Sequence, residues 1–350
     1  MATCSTSTRS RPLTCGLSTI EKFLLLSSNS LRNQLFLWLS KPDIVQLSCA
    51  SSILKEYATI YSEGAWNINT FLEPWFQPPT IFRGVMAVSG AVVSGSQALR
   101  FFDRQSPNIA CDLDIYVRLA GAMTIIVYLL ESGYRRDVQL RGGGYPLLSD
   151  LQSLSTTKRF CSGGGPQGLL AVFDFDKPGP GSTMLKAQVI VLAQDPIHHV
   201  LHNFHSTLVM NFITYREAVA IFPRTTFLKR VGYISSRRRI GDIQKPMWRT
   251  KYEKRGFTFD TQSLRPSIEL AARSLGDSRC WTILFKDLGR HSVIGLDATY
   301  SIYRIPELDK IKFDLSWIPE GGLGHATDRF RLGIYEPELW DYIYPWHILR

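Results

Sequence analysis

The feature that most constrains the fold is a strand–turn–helix–strand pattern in the first third of the chain. A valine- and alanine-rich run from Met86 to Val93 predicts a strand that stops at Ser94-Gly95-Ser96. An amphipathic stretch then predicts a helix, and a second strand is predicted over Asp112 to Val117. For the chain as a whole we expect an α+β fold, in which a mixed sheet is flanked by helices.

Downstream segments extend the same pattern. An apolar helix is predicted over residues 119–132, and strands are predicted over Leu169–Phe175 and Met184–Leu192. Their connection, residues 177–182, holds two prolines and two glycines, which predicts a hairpin. Asp195 followed by Pro196 indicates the start of a helix that we expect to run to about Ile213.

Composition divides the 350 residues into a small number of parts. A chain of this length is expected to form about two domains. The boundaries that we predict are a disordered tail (1–18), a small helical N-terminal unit (19–78), a sheet-bearing core (79–222), a basic segment (223–260) and a C-terminal α/β extension (261–350).

Several classes of protein are excluded by the apolar runs and the cysteines. The longest nearly uninterrupted apolar run, Leu119 to Leu130, is far shorter than the ~20 residues of a membrane span. The first eighteen residues lack the apolar core of a secretory signal. Six scattered cysteines without a C-x-x-C pair are typical of free thiols in a reducing compartment. The sequence therefore predicts a cytoplasmic or nuclear protein that makes no use of a membrane.

Two aspartates on the second predicted strand are the main candidates for chemistry. Asp112 and Asp114 are two residues apart, so their carboxylates share one face of the strand. Such oxygen ligands suit Mg²⁺. Gly95 and Ser96, at the start of the preceding helix, are suited to binding phosphate through backbone N–H groups and a hydroxyl. Together these parts predict Mg²⁺ and a nucleoside triphosphate (NTP) as ligands.

The same residues resemble a known superfamily. Gly95-Ser96, the helix that follows and Asp112-x-Asp114 on a strand resemble the core motif of nucleotidyltransferases of the DNA polymerase β type. The wider stretches FRGVMAVSGAVVSGSQALRFFDR and CDLDIYV, with the later FHSTLVMNFIT and FPRTTF, are similar to a group of uncharacterised fungal proteins of that fold. The resemblance covers about residues 81–228. It implies that Asp112 and Asp114 are catalytic metal ligands and that Gly95 and Ser96 bind phosphate.

One position departs from the superfamily pattern. Active members carry a third carboxylate on a later strand, and Gln188 of the predicted strand 184–192 occupies that place. An amide brings no charge and cannot act as a base. Asp174 and Asp176 can replace it only if the hairpin register allows, and we interpret them as the start of a solvent-facing turn. Two hypotheses follow: a degenerate protein that binds a nucleotide or a macromolecular partner, or an active nucleotidyltransferase that transfers NMP to an unknown acceptor.

Positive charge is concentrated in one segment. Residues 224–255 hold eleven basic and two acidic residues, so this segment carries +9 of the net +10. Aromatic residues interleave with the basic ones, which is typical of nucleic-acid grooves. The segment is predicted to bind nucleic acid, a nucleotide or an acidic protein, or else to be a solvated loop. The candidate contacts are Arg237, Arg238, Arg239, Lys245 and Arg249.

Two further features allow a functional and a structural interpretation. His198, His202 and His205 share one face of the predicted helix, a spacing that can bind metal, although packing beside an apolar face is the simpler interpretation. The N-terminal stretch LRNQLFLWLSKPDIVQLSCASSILKEYA resembles an F-box, which implies a ubiquitin-ligase adaptor as partner. The alternative is an ordinary helical cap.

Overall fold

The computed structural model describes residues 16–136, 169–193, 195–234, 247–260, 273–275, 277–286 and 312–313. The chain divides into two compact units, Met1–Asn67 and Ile68–Arg350. Among the described residues, no helix is both long and apolar enough to cross a membrane.

The described part of the first unit consists of short capped helices. They are α1 (Thr19–Leu26), α2 (Asn29–Trp38), α3 (Lys41–Ala50) and α4 (Ser52–Ala65), each preceded by a serine whose side chain accepts a hydrogen bond from the first turn. Ser40 and Asp43 form a reciprocal capping box at the start of α3. Phe36 stacks on Tyr61 with 4.8 Å between ring centroids, so these helices enclose a small apolar core.

The second unit is built on a mixed sheet. Its described strands are β1 (Val92–Ser94), β2 (Leu113–Arg118), β3 (Arg135–Arg136), β4 (Leu169–Pro178), β5 (Met184–Leu192), β6 (Asn211–Ile213), β7 (Glu217–Ala220), β8 (Val231–Tyr233), β9 (Thr258–Asp260), β10 (Arg273–Ser274), β11 (Trp281–Leu284) and β12 (Lys312–Phe313). Eight of them form one sheet in the order β11-β7-β6-β1-β2-β5-β4-β3, in which β2 and β5 are parallel and the other neighbours are antiparallel. The smaller pairs are β8 with β9 and β10 with β12. The predicted α+β class is confirmed.

Helices flank this sheet. They are α5 (Ile68–Leu72), α6 (Pro79–Ser89), α7 (Gly95–Phe102), α8 (Leu119–Glu131), α9 (Pro196–Asn203) and α10 (Met247–Glu253), with a 3₁₀ turn at Thr207–Val209 and a π-helical turn at Arg224–Leu228. α8 approaches α6 closely at Gly121, where a Cβ atom would overlap the Ser89 carbonyl oxygen. A glycine at this position therefore sets the distance between the two helices.

Side chains of β2 alternate strictly between two environments. Leu113, Ile115 and Val117 are fully buried, whereas the residues between them are half-buried on the opposite face. This period of two follows from the pleat of a strand. Asp114 consequently lies on the half-buried face of β2, opposite the fully buried apolar side chains.

Two predicted elements were wrong in extent. Residues 86–89 form the last turn of α6 rather than the start of a strand, and α6 ends at Gly90 with φ +67°. The helix predicted to reach Ile213 ends at Asn203, because residues 211–213 form β6, buried between β1 and β7. Apolar residues alone do not separate a buried short strand from a helix. By contrast, β5 has the predicted bounds.

Candidate functional site

Four polar residues form one row across four neighbouring strands. Ser94 of β1 pairs with Asp114 of β2, Asp114 pairs with Gln188 of β5, and Gln188 pairs with Asp174 of β4. Directly paired residues point to the same side of a sheet. The structure therefore places Asp114, Gln188 and Asp174 side by side on one face.

Gly95 brings the start of α7 against the Asp114 carboxylate. Its φ is +71°, which favours glycine, and a Cβ atom at this position would overlap Asp114 Oδ2. The Ser94 hydroxyl donates a 2.5 Å hydrogen bond to the Asn211 carbonyl oxygen and does not cap α7. Ser96 is buried in the first turn of the same helix. The turn and the carboxylate are thus neighbours, as the pattern Gly-Ser … Asp-x-Asp requires.

Two carboxylates meet at this point without neutralising partners. Asp112 lies one residue before β2 and, like Asp114, is half-buried. Burial first, and then the charge of Asp112, raise the pKa of the Asp114 carboxyl to about 7, while Lys251 acts in the opposite direction. Within the described parts of the chain, neither carboxylate accepts a hydrogen bond or forms an ion pair. Such an arrangement favours an added cation.

A cluster of three or more histidine, cysteine or carboxylate side chains that could hold a metal does not occur among the described residues. The donors that fit Mg²⁺ are the two carboxylates of Asp112 and Asp114, and the next place in the row belongs to an amide. Asp112 and Asp114 are therefore two of the three carboxylates in the pattern that the sequence resembles.

Gln188 is occupied by a hydrogen bond within the sheet. Its side-chain Nε2 donates to Asp174 Oδ1 at 2.7 Å. The interpretation of Asp174 and Asp176 as a solvent-facing turn was wrong, because both are half-buried residues of β4. The hairpin register decides this, since it sets Asp174 directly opposite Gln188. The sequence offered no signal for that pairing beyond the two predicted strands.

The basic segment contributes a helix beside the carboxylates. Burial raises the pKa of the Tyr116 phenol well above its usual value, and the charges of Asp114 and Tyr252 add to this shift. Tyr252 and Lys251 belong to α10, so this helix lies near Asp114. Both residues fall in the predicted basic segment, but their proximity to Asp114 depends on a tertiary contact that the sequence does not show.

Gln97 holds the loop that leads into Asp112. The side chain is fully buried; Nε2 donates to the carbonyl oxygens of Asn108 (2.8 Å) and Cys111 (3.4 Å), and Oε1 accepts from the Asn108 N–H at 3.3 Å. One side chain of α7 thereby fixes the approach of β2 to the Gly-Ser turn. In the sequence, the signal for this role was a polar residue, Gln97, beside the apolar residues of the predicted helix.

The candidate contacts of the basic segment have different outcomes. Arg237, Arg238, Arg239 and Lys245 lie outside the described residues. Arg249 is within α10 and forms an ion pair with Glu253, Nε to Oε1, at 3.0 Å. Binding of nucleic acid or an acidic protein by this segment stays a prediction.

Aromatic residues of the basic segment pack inward in the described part. Tyr252 and Phe257 are each 3% exposed, and Trp248 packs against the same apolar core. They do not form the open stacking platform that single-stranded nucleic acid uses.

The predicted histidine stripe was wrong in geometry. α9 ends at Asn203, so His205 lies beyond the helix and stacks on Trp248 with 4.0 Å between ring centroids. The side chain of His202 lies outside the described residues. His199, between the stripe positions, is buried, and burial followed by the charge of His198 lowers its pKa to about 4. Packing explains the rings of His199 and His205, and His198, the stripe position that lies on α9, is half-buried.

The helical N-terminal unit exposes apolar side chains. Trp38 is 90% exposed and Leu26 is 77% exposed. Exposed large apolar groups often mark surfaces that bind other proteins. Docking of a ubiquitin-ligase adaptor to this unit stays a prediction.

Comparison with protein-family models, with curated proteins and with solved structures finds no match to this chain. The functional argument therefore rests on the residues and geometry of the site.

Proposed function

We propose that this chain is a degenerate nucleotidyltransferase-like protein that binds an NTP with Mg²⁺ and does not turn it over. The observation that carries the proposal is the row of polar residues on one face of the sheet. It sets Gln188, an amide, directly beside Asp114, at the place where the superfamily pattern has its third carboxylate.

Support for nucleotide binding comes from the β1–α7–β2 part of the site. Gly95 brings the N-terminus of α7 into contact with the Asp114 carboxylate. Backbone N–H groups at a helix N-terminus favour phosphate, and unpartnered carboxylates favour a divalent cation. Mg²⁺ bound to Asp112 and Asp114 would neutralise charge on a triphosphate.

Support for loss of turnover comes from Gln188 itself. In nucleotidyl transfer the attacking hydroxyl must lose a proton, and an amide cannot accept one. The Gln188 amide also donates to Asp174, so that carboxylate is already hydrogen-bonded within the sheet. Asp112 and Asp114 are then left to hold the ligand without a third acid on β5.

The alternative is an active Mg²⁺-dependent nucleotidyltransferase. One observation favours it: Asp174 lies on the same face as Asp114, one strand further along. In that case Asp174 takes the place of the missing carboxylate, and the purified protein turns over at least one NTP.

Calorimetry with each of the four NTPs tests the proposal. We expect NTP binding to be much tighter with Mg²⁺ or Mn²⁺ than in a chelator, and a separate pyrophosphate assay should detect no release. The Asp112→Asn/Asp114→Asn variant should lose the metal dependence, while the exposed-site control Gln105→Asn should keep it. Absence of metal-dependent binding with every NTP overturns the proposal, and robust release of pyrophosphate by the wild type selects the active alternative.

A further inference from the structure

Three arginines gather at the C-terminal end of α7. Arg100 lies in its last turn, and Arg230 and Arg255 belong to the basic segment. Asp103, the residue that ends α7, is the acid among them. The distribution of hydrogen bonds shows which of these guanidinium groups is neutralised.

Arg230 uses the available carboxylate. Its Nη1 lies 2.7 Å from Asp103 Oδ1 and 2.8 Å from Oδ2, and its guanidinium lies over the Phe257 ring at 3.8 Å. Gln105 Nε2 also donates to Asp103 Oδ2 at 3.0 Å. The hydrogen bonds of Asp103 therefore go to Arg230 and Gln105, while its charge also acts on Arg100.

The backbone of Arg255 is hydrogen-bonded on both sides, while its side-chain Nη1 has no partner among the described residues. The Arg255 carbonyl oxygen accepts from Arg230 Nη2 at 3.2 Å, and its N–H donates to the Tyr252 carbonyl oxygen at 2.9 Å. Arg255 Nη1 is buried and makes no hydrogen bond to any described residue. The guanidinium lies over the Tyr252 ring at 5.4 Å. A buried donor without an acceptor is unfavourable unless a ligand supplies one.

Arg100 adds a second positive charge to the same place. Its Nε donates to the Ser106 carbonyl oxygen at 2.8 Å, which anchors the side chain and makes no use of a carboxylate. Burial, and next the charge of Arg255, lower the pKa of Arg100, whereas the charges of Cys111 and Asp103 act in the opposite direction. The positive charges of Arg100 and Arg255 act on each other, and an anion bound to both would be stabilised by both.

We propose that Arg100 and Arg255 form a binding site for the oxyanion of a phosphoryl group. The planar guanidinium presents paired N–H donors that match phosphate oxygens, and charge-assisted hydrogen bonds of this kind are the stronger ones in proteins. The site uses neither Asp112 nor Asp114, so it binds without a divalent cation and does not depend on the function proposed above.

The proposed phosphoryl site nevertheless lies near the Asp114 carboxylate. Tyr252 lies under Arg255, and the charge of Asp114 also acts on its phenol. A phosphoryl group at Arg255 is therefore on the side of the sheet that carries Asp114. Free pyrophosphate and the phosphates of a nucleotide have the same chemistry at such a site.

Metal-free thermal unfolding with inorganic pyrophosphate, and separately with ATP in the presence of a chelator, tests the site. A ligand that binds only the folded state raises the unfolding temperature. We expect pyrophosphate to raise it for the wild type and for Lys254→Met, a neighbouring exposed lysine that matches the loss of one charge. Arg255→Met and Arg100→Met should each weaken binding roughly 10- to 100-fold.

The outcomes distinguish pyrophosphate from a nucleotide as the ligand, and this proposal from the one on Asp112 and Asp114. A response to pyrophosphate and ATP alike indicates a site for phosphoryl groups in general, whereas a response to ATP alone indicates a nucleotide site. If Arg255→Met and Arg100→Met respond as the wild type does, or if neither ligand has an effect, the inference is overturned. Metal-dependent NTP binding through Asp112 and Asp114 is scored in a different assay, so either proposal can fail alone.

Discussion

The two halves of the polar row differ in how their side chains are satisfied. On the β1–β2 side, the Asp112 and Asp114 carboxylates have no hydrogen-bond partner among the described residues, and burial raises the pKa of Asp114. On the β5–β4 side, Gln188 and Asp174 satisfy each other through a 2.7 Å hydrogen bond. The first half is suited to an external ligand, and the second half is complete by itself.

The second half of the row shows how polar side chains can be satisfied within a sheet. The Gln188 amide donates a hydrogen bond to the neighbouring acid, which a carboxylate at this position would repel. Buried polar groups are tolerated when they are paired. Gln188 therefore stabilises the pairing of β5 with β4.

Exchange of the Gln188 amide and the Asp174 carboxylate should have the largest effect, and the effect is on turnover. Gln188→Glu combined with Asp174→Asn keeps a donor and an acceptor between β5 and β4 but places the acid beside Asp114. A general base is typically worth about 10²–10⁴-fold in rate, so we expect pyrophosphate release from an NTP to rise by up to that factor. A radiolabelled-NTP turnover assay measures it.

Two controls accompany this exchange. Gln188→Glu alone leaves two facing carboxylates and should be less stable than the double variant. Addition of Asp114→Asn should abolish any gained turnover. A double variant that folds, binds the nucleotide and shows no gain would indicate that the third carboxylate is not what the site lacks.

Gly95→Ala tests the close approach of α7 to Asp114. We expect it to lower the free energy of unfolding by about 2–4 kcal/mol, because a positive φ and a steric overlap are both imposed. Gly181→Ala is the matched control, since φ at Gly181 is +65° but the added Cβ would meet no atom within 4 Å. Denaturant unfolding compares the two.

The overlap with Asp114 has a separate test. Asp114→Ala should restore part of the stability lost in Gly95→Ala, since it removes the atom that the new Cβ meets. Equal losses for the alanine variants of Gly95 and Gly181 would mean that backbone strain alone accounts for the effect.

The pH dependence of the free energy of unfolding should report the raised pKa of Asp114, on the β1–β2 side of the row. The pKa of Asp114 rises from 3.8 to about 7 on folding, so between these values the folded state binds more protons than the unfolded state. Stability from this group is complete below about pH 4 and is lost as pH rises towards 7. Asp114→Asn should therefore be more stable than the wild type by about 1–3 kcal/mol at pH 8 and equal at pH 4.

Urea unfolding across this pH range provides the measurement. Asp112→Asn should give an intermediate curve, because it removes the second cause of the raised pKa and leaves burial in place. If the free energy of unfolding has the same pH dependence in the wild type and Asp114→Asn, ionisation of Asp114 does not destabilise the folded state.

Much of the local structure could be predicted because its causes are local. Alternating apolar and polar residues favour β2, and an apolar run between turn residues favours β5. Ser40 and Asp43, three residues apart, cap α3. Side chains two apart on a strand share a face in any fold, so the pairing of carboxylates needed no tertiary information. The same reasoning made the helix after Pro196 too long, since apolar content does not distinguish a helix from a short buried strand.

By itself, then, the sequence determined that a Gly-Ser turn precedes a helix, that two carboxylates follow on a strand and that positive charge is concentrated in residues 224–255. Only the tertiary structure decided that Asp174 pairs with Gln188, that Lys251 and Tyr252 approach Asp114, and that Arg255 keeps a buried nitrogen without a partner among the described residues. The physical reason is distance along the chain. Strand register depends on the packing of the whole unit, and so does the approach of Lys251, 137 residues after Asp114, and no local pattern encodes either.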